Sequence, residues 1–269
     1  MTVFVVALLS AMVMGMLQIN VEEIRIMHNQ IRAAEALAVA EAGLNDALAE
    51  SNKCLLKING KPAIEYSLEY AEKTDVDEII IVVGYLAEDI INEYGHQFKT
   101  KPVKYVLQWE QKGLVHAIES AKTALAGDDF LLMLGDEILL KPRHQEMIDS
   151  FKKQKAFALC GILYAQDTRY IQRNYTMIQN HDNKISRLIE KPRKPLNALM
   201  GTGNCIFKNE ILNYIQFTPV HYERNEKELP DLIQCAIDDG MMIKSFEICE
   251  RYMNINTKED IAIAESFFQ

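Results

Sequence analysis

The chain has 269 residues, 49% of them hydrophobic and 25% charged, with a formal charge of −9. That is enough chain to bury a substantial core, and the mix excludes collagen-like, low-complexity and disulfide-miniprotein classes. The acidic balance, with no run of Lys or Arg, also argues against nucleic acid as a partner, because phosphate-backbone affinity comes from clustered cations. A small anionic substrate stays open, since one pocket needs only two or three cations. The five cysteines (Cys54, Cys160, Cys205, Cys235 and Cys249) are odd in number, scattered and without a CxxC pair. They read as reduced core thiols in a cytoplasmic setting rather than a disulfide framework or zinc site.

Residues 2–21 carry no ionisable side chain, and residues 3–17 read VFVVALLSAMVMGML. About 20 uncharged helical residues can cross a hydrocarbon core of roughly 30 Å, so residues 3–21 are a candidate for membrane contact or inner-membrane anchoring, with a buried helix as the alternative. From Glu22 to Glu50, Ile24, Met27, Ile31, Ala34, Leu37, Leu44 and Leu48 recur at intervals of three, four or seven, with no proline before Pro62. That spacing predicts one long helix. The phrase AEALAVAEAGLNDALAE behind an apolar N-terminus resembles the N-terminal helix of type IV pilin-like proteins, without their processing-site Gly or early Glu. Two units follow from this reading: a hydrophobic to amphipathic helix over 1–50 and a second domain over 51–269.

After Asn52 the pattern turns to short β-branched runs between helical stretches. Residues 78–85, 103–108, 130–135 and 156–164 read as buried strands, and residues 113–125 and 143–154 as helices. Shorter runs at 175–179, 185–190, 201–207, 241–247 and 252–256 are expected to extend or edge the sheet. Thr257 and Asp260 have the spacing of a capping box before a last helix. Strands alternating with helices imply an α/β fold, Rossmann-like, with a mostly parallel sheet and helices on both faces. With 1–50 read as helix, the sheet should show a gap or a shifted edge beside the 78–85 strand.

Ligands of open α/β sheets sit at the carboxyl ends of strands, so polar residues that end apolar runs are the candidates. Asp136 ends FLLMLGDE and suits a Mg²⁺ ion on a phosphate; Asn254 in YMNINT could be a neutral second ligand. Either residue could instead cap a local turn. Lys53 in NKCLLK and Lys191 in IEKPRKP suit phosphate as point charges. Gln108 could meet a nucleobase edge or simply end its strand, and Gly113 reads as a helix start that lets a ligand approach. His116 reads as a packing residue.

Together these segments resemble the sugar-1-phosphate nucleotidyltransferases, in particular the glucose-1-phosphate thymidylyltransferase group. The matching phrases, in the family's order across 52–265, are NKCLLKINGKPAIEYSLE, DEIIIVVGY, LQWEQKGLVHAIESA, DDFLLMLGDEIL, ISRLIEKPRKP, GTGNCIF and YMNINTKEDIAIAE. The resemblance implies a nucleotide-diphospho-sugar transferase fold and a nucleotide-sugar plus pyrophosphate made from a nucleoside triphosphate and a sugar 1-phosphate. It implies catalytic roles for Lys53, Asp136 and Lys191, base contacts from Gln108 and Gly113, and sugar-side contacts from Glu190, Lys191 and Gly203. Mg²⁺ would be held by Asp136 and Asn254, and a homo-oligomer is compatible with the reading.

The chain also departs from the family. Its members begin with a central strand running into a GxGTRLxP loop that cradles the triphosphate, whereas AGLNDALAESNK supplies no GxG and no Arg. Loss of those donors implies impaired turnover. Thr176 stands where the family has the glycine of a YG pair. Lys112, Gly113 and Leu114 replace the LGT of uridylyl relatives, which tilts the base toward thymidylyl over uridylyl transfer. The rival readings are a catalytically inactive domain on a pilin-like anchor and a composite of two unrelated segments.

Overall fold

The computed structural model describes residues 2–6 and 52–269. The strands are β1 (Thr2–Val6), β2 (Lys57–Ile58), β3 (Lys61–Pro62), β4 (Ile79–Val83), β5 (Gln97–Phe98), β6 (Lys101–Leu107) and β7 (Phe130–Leu134). They continue with β8 (Glu137–Leu140), β9 (Ala158–Tyr164), β10 (Tyr175–Gln179), β11 (Ile185–Glu190), β12 (Leu199–Phe207), β13 (Ile243–Glu247) and β14 (Arg251–Asn254). The helices are α1 (Ala63–Glu72), α2 (Ala87–Tyr94), α3 (Gly113–Ser120), α4 (Lys122–Leu125), α5 (His144–Gln154), α6 (Thr168–Arg173), α7 (Leu229–Asp238) and α8 (Lys258–Glu265).

One sheet runs in the order β11-β10-β12-β7-β1-β4-β6-β5, with β9 pairing β12 and β13 pairing β9. Its centre is parallel: β7, β1, β4 and β6 run together. The other half is antiparallel around β12, which pairs β7, β9 and β10, so the sheet is mixed. Alternation along β4 sends Ile79, Ile81 and Val83 into the core on one face and Ile80 and Val82 into the core on the other. Strands covered on both faces must read as unbroken apolar runs, as IIIVV does. The run at 201–207, expected to extend or edge the sheet, lies within β12, which extends it and has all nine residues buried. Thr257 and Asp260 form the expected capping box.

The expected helix over 1–50 fails at its start. Thr2–Val6 is a strand, in register with Ile79–Val82 on one side and Phe130–Leu134 on the other, and it fills the gap expected beside β4. TVFVV is β-branched and aromatic, and a short apolar run satisfies buried-helix and buried-strand templates equally. Position decides: between two parallel strands every backbone N–H and C=O finds a partner. The remainder of the pilin-like stretch, and with it most of the membrane candidate 3–21, lies outside the described residues. Among the described residues no helix is long and apolar enough to cross a membrane.

A central strand cannot accept proline, which removes a ladder hydrogen bond. Phe4→Pro is therefore expected to lower the unfolding free energy of the whole domain by about 3 kcal/mol or more in urea titration. An unchanged midpoint would show that the N-terminus is not part of the sheet.

Candidate active site

Where β7 gives way to β8, and β14 ends beside them, a cavity of about 220 Å³ opens at the carboxyl side of the parallel strands. Asp136, Gly113, Glu190, Lys191, Gly203 and Asn254, all singled out in the sequence, line it. Two larger hollows, of about 670 and 590 Å³, lie toward the amino ends of β7 and β9. They share Lys155 and Lys208 and gather none of these residues.

Asp136 is fixed through its backbone: its carbonyl accepts from Ile255 N–H at 2.9 Å, which ties it to the end of β14. In the β14–β8 pairing Asn254 lies opposite Glu137, so the Asp136 carboxyl and the Asn254 amide rise from neighbouring strand ends. Asn256 Nδ2 donates to Asn254 Oδ1 at 3.0 Å, which orients that oxygen. Burial pushes the Asp136 carboxyl up to about 6, and the nearby Lys53 ammonium partly offsets this. Lys53 sits in the short 3-10 turn Lys53–Leu55, near Asp136 but outside the cavity lining.

Glu190 ends β11, and its carboxylate lies 3.3 Å from Lys191 Nζ. Lys191 has φ +40 and its N–H donates to Asn174 O at 2.7 Å, a left-handed turn that swings the chain back over the cavity. Burial lifts Glu190 to about 7, with Lys191 easing and Glu228 adding to the shift. A carboxyl raised above its unfolded value binds its proton more tightly when folded. Between about pH 4.5 and 7 the folded chain then holds more protons, so stability falls as pH rises through that window. Glu190→Gln is expected to raise the unfolding free energy at pH 8 by about 2 kcal/mol relative to its effect at pH 4, read from urea titrations. Equal effects at both pH values would contradict the buried placement.

Gly113 opens α3 with φ +81, and a Cβ there would stand 2.7 Å from Glu226 Oε2. Both conformation and space therefore require glycine. Gln108 is buried behind this wall rather than in it. Its Nε2 donates to Gly113 O at 3.2 Å and lies 2.9 Å from His116 Nδ1. His116 is thus a partner of Gln108 rather than a packing residue alone, while Gln111 reaches the cavity. At Gly203 a Cβ would come within 2.4 Å of Leu134 and 2.9 Å of Glu137 Oε1, and the Gly203 N–H donates to Glu137 Oε1 at 2.8 Å. Thr176, in place of the family's glycine, is fully buried, its hydroxyl 2.7 Å from the Leu199 carbonyl.

The sequence reading missed Glu137, Arg173, Tyr175, Thr202, Glu226 and Glu228, which also line the cavity. Glu137 adjoins Asp136, and that adjacency was its only signal; Glu226 and Glu228 sit in YERNEKELP, which carries no motif. Among the described residues the lining holds five carboxyl side chains (Asp136, Glu137, Glu190, Glu226 and Glu228) against two cations, Arg173 and Lys191. An anionic ligand would meet net repulsion there unless a cation came with it. Among the described residues no three His, Cys, Asp or Glu side chains converge as a metal cage. One carboxylate with one amide oxygen suits Mg²⁺, which takes one or two protein ligands and completes its shell with water and phosphate.

The family model described as nucleotidyl transferase matches residues 48–255. Over 223 residues the chain is 28% identical to the UTP–glucose-1-phosphate uridylyltransferase AglF of Haloferax volcanii, covering 81% of this chain and 88% of that protein. It is 30% identical over 220 residues to the bifunctional protein GlmU of Methanococcus maripaludis, covering 80% of this chain but only 49% of GlmU. A solved UDP-glucose pyrophosphorylase complexed with UDP-glucose superposes with a TM-score of 0.71 at 18% identity, covering 80% of this chain and 89% of that one. That likeness establishes the fold. With the family model spanning well over half of its length, the chain belongs to the nucleotidyl transferase family.

Proposed function

We propose that the cavity binds a nucleoside triphosphate and a sugar 1-phosphate and joins them into a nucleotide-sugar with release of pyrophosphate. The observation that carries this is the meeting, in one cavity, of the Asp136–Asn254 oxygen pair with the Glu190–Lys191 pair. A phosphate attacking a phosphate needs charge neutralised and two anions aligned, with little covalent help from the protein. Asp136 and Asn254 would hold Mg²⁺, which when bound supplies positive charge to the triphosphate. Lys53 adds a cation near Asp136, and Lys191 orients the attacking sugar phosphate. Glu190 accepts from sugar hydroxyls, and Gly113 lets the nucleotide approach the start of α3.

The sequence ahead of Asn52 supplies no GxG pattern, and we infer slow turnover from that. Base and sugar identity rest on relatives that act on UTP and glucose 1-phosphate by name, set against the Lys112-Gly113-Leu114 departure. Thymidylyl and uridylyl transfer are the two candidates. Calorimetric titration with dTTP and UTP, with and without Mg²⁺ and with glucose 1-phosphate added, tests the reading. Mg²⁺-dependent binding of one nucleotide supports it; absence of nucleotide binding in every combination contradicts it.

A further inference from the structure

Glu137 is buried beside the site and faces away from any simple role in metal binding, because its oxygens are already engaged. Its Oε1 accepts from Gly203 N–H at 2.8 Å and from the Tyr252 hydroxyl at 2.6 Å. Its Oε2 accepts from Asn204 Nδ2 at 2.6 Å. Asn204 is oriented for this by His144, whose Nε2–H donates to Asn204 Oδ1 at 2.7 Å. The His144 ring in turn stacks on Tyr70 at 5.4 Å between centroids, and Tyr70 bonds both the N–H and the carbonyl of Leu139. One carboxylate thus joins β8, β12 and β14, with α5 and α1 locking the geometry from behind.

The segment it holds on β12 is irregular. The pairing of β12 with β9 breaks between Gly201 and Cys205, and Thr202 and Gly203 bow into the cavity wall. Thr202 Oγ1 donates to Gly161 O at 3.1 Å and its carbonyl accepts from the Tyr175 hydroxyl at 3.0 Å. The bulge is therefore pinned to β9 and β10 on one side, and Glu137 is its link to the strand ends that carry Asp136 and Asn254.

We propose that Glu137 is a positioning residue that holds the Thr202–Asn204 bulge at a fixed separation from the Asp136–Asn254 pair. It thereby sets the affinity and alignment of the sugar 1-phosphate rather than of the nucleotide. The assignment of the bulge to the sugar side rests on the proposed function above. The bonding pattern makes a strong demand: position 137 must accept on both oxygens, and position 204 must donate toward 137 while accepting from His144.

Glu137→Gln keeps the shape but turns an N–H toward an existing donor. Adding Asn204→Asp restores the pattern with the carboxylate and amide exchanged, since Asp at 204 accepts both from Gln at 137 and from His144. In Glu137→Gln, sugar 1-phosphate affinity, measured with Mg²⁺ and nucleotide present, should fall about 10-fold while nucleotide affinity stays within about threefold. Amide exchange at Gly203 and Asn204 should quicken while that of β4 does not, and the double variant should recover both within about threefold. Should Glu137→Gln fail to fold, Tyr252→Phe removes the 2.6 Å bond to Glu137 together with a long 3.5 Å contact to Asn174 Oδ1, and gives the same split at smaller amplitude.

Unchanged sugar-phosphate affinity, an equal loss of both affinities, exchange that quickens throughout the domain, or no recovery in the double variant would each overturn the proposal. If the unaltered chain binds neither substrate, the functional reading fails. Exchange at Gly203 and Asn204 then decides alone whether Glu137 holds the bulge.

Discussion

Asp136→Ala is expected to abolish Mg²⁺-dependent nucleotide binding, weakening it by about 100-fold or more. Without that carboxylate, only the neutral Asn254 amide oxygen of the proposed pair would be left to the cation, and of the other lining carboxyls Glu137, Glu190 and Glu228 are already engaged, the last by Arg224 Nε at 2.6 Å. Glu137 accepts three hydrogen bonds and Glu190 is paired with Lys191. A divalent ion with one weak protein ligand stays in water, and a triphosphate entering alone would face the remaining carboxylates with two lining cations to oppose them. His181→Ala, at an exposed turn away from the cavity, should leave binding within about twofold. Calorimetric titration of both variants checks this, and equal losses would mean that the site lies elsewhere.

The second large effect concerns the missing loop. Supplying a GxGTR-type loop between β1 and Asn52 is expected to raise turnover by about 10³-fold or more. One lost transition-state donor typically costs about 10²- to 10³-fold, and such a loop contributes several backbone N–H groups and an Arg. The structure sharpens where the loop belongs. Because Thr2–Val6 already occupies the central strand, the scaffold to launch the loop is present and no added strand is required. The slow turnover proposed above would then reflect the grip on the triphosphate, not a hole in the sheet. Steady-state rates of the two chains at matched substrate levels check it; equal rates would mean that residues ahead of Asn52 already grip the phosphates.

The strands of residues 52–269 were legible because burial on both faces forces continuous apolar runs, as in β4 and β7. The N-terminal strand was not, since TVFVV runs straight into further apolar residues with no turn residue to mark its end. Periodicity then favoured helix, and only the vacancy between two parallel strands reveals the alternative. Residues at strand ends were readable for a topological reason: Asp136 and Asn254 each follow or close an apolar run, and the fold brings such ends together, whereas Glu190 was indicated only by the family resemblance. Gln108 shares that placement but turns inward to Gly113 and His116, a choice made by contacts within one loop. Glu137 illustrates what no local pattern carries. Its partners Gly203, Asn204 and Tyr252 lie 66, 67 and 115 residues away, and only the closed sheet puts them in reach.

Nucleotidyl transfer is the activity proposed for the cavity holding Asp136, Asn254, Glu190 and Lys191. Its most direct test is pyrophosphate release from dTTP or UTP and glucose 1-phosphate, measured for the loop-bearing chain with Asp136 intact and with Asp136→Ala. Release is expected to require both substrates and Mg²⁺ and to fall at least about 100-fold in the Asp136 variant. Release that persists undiminished without Asp136, or no release from the loop-bearing chain with any of these substrates, would contradict it.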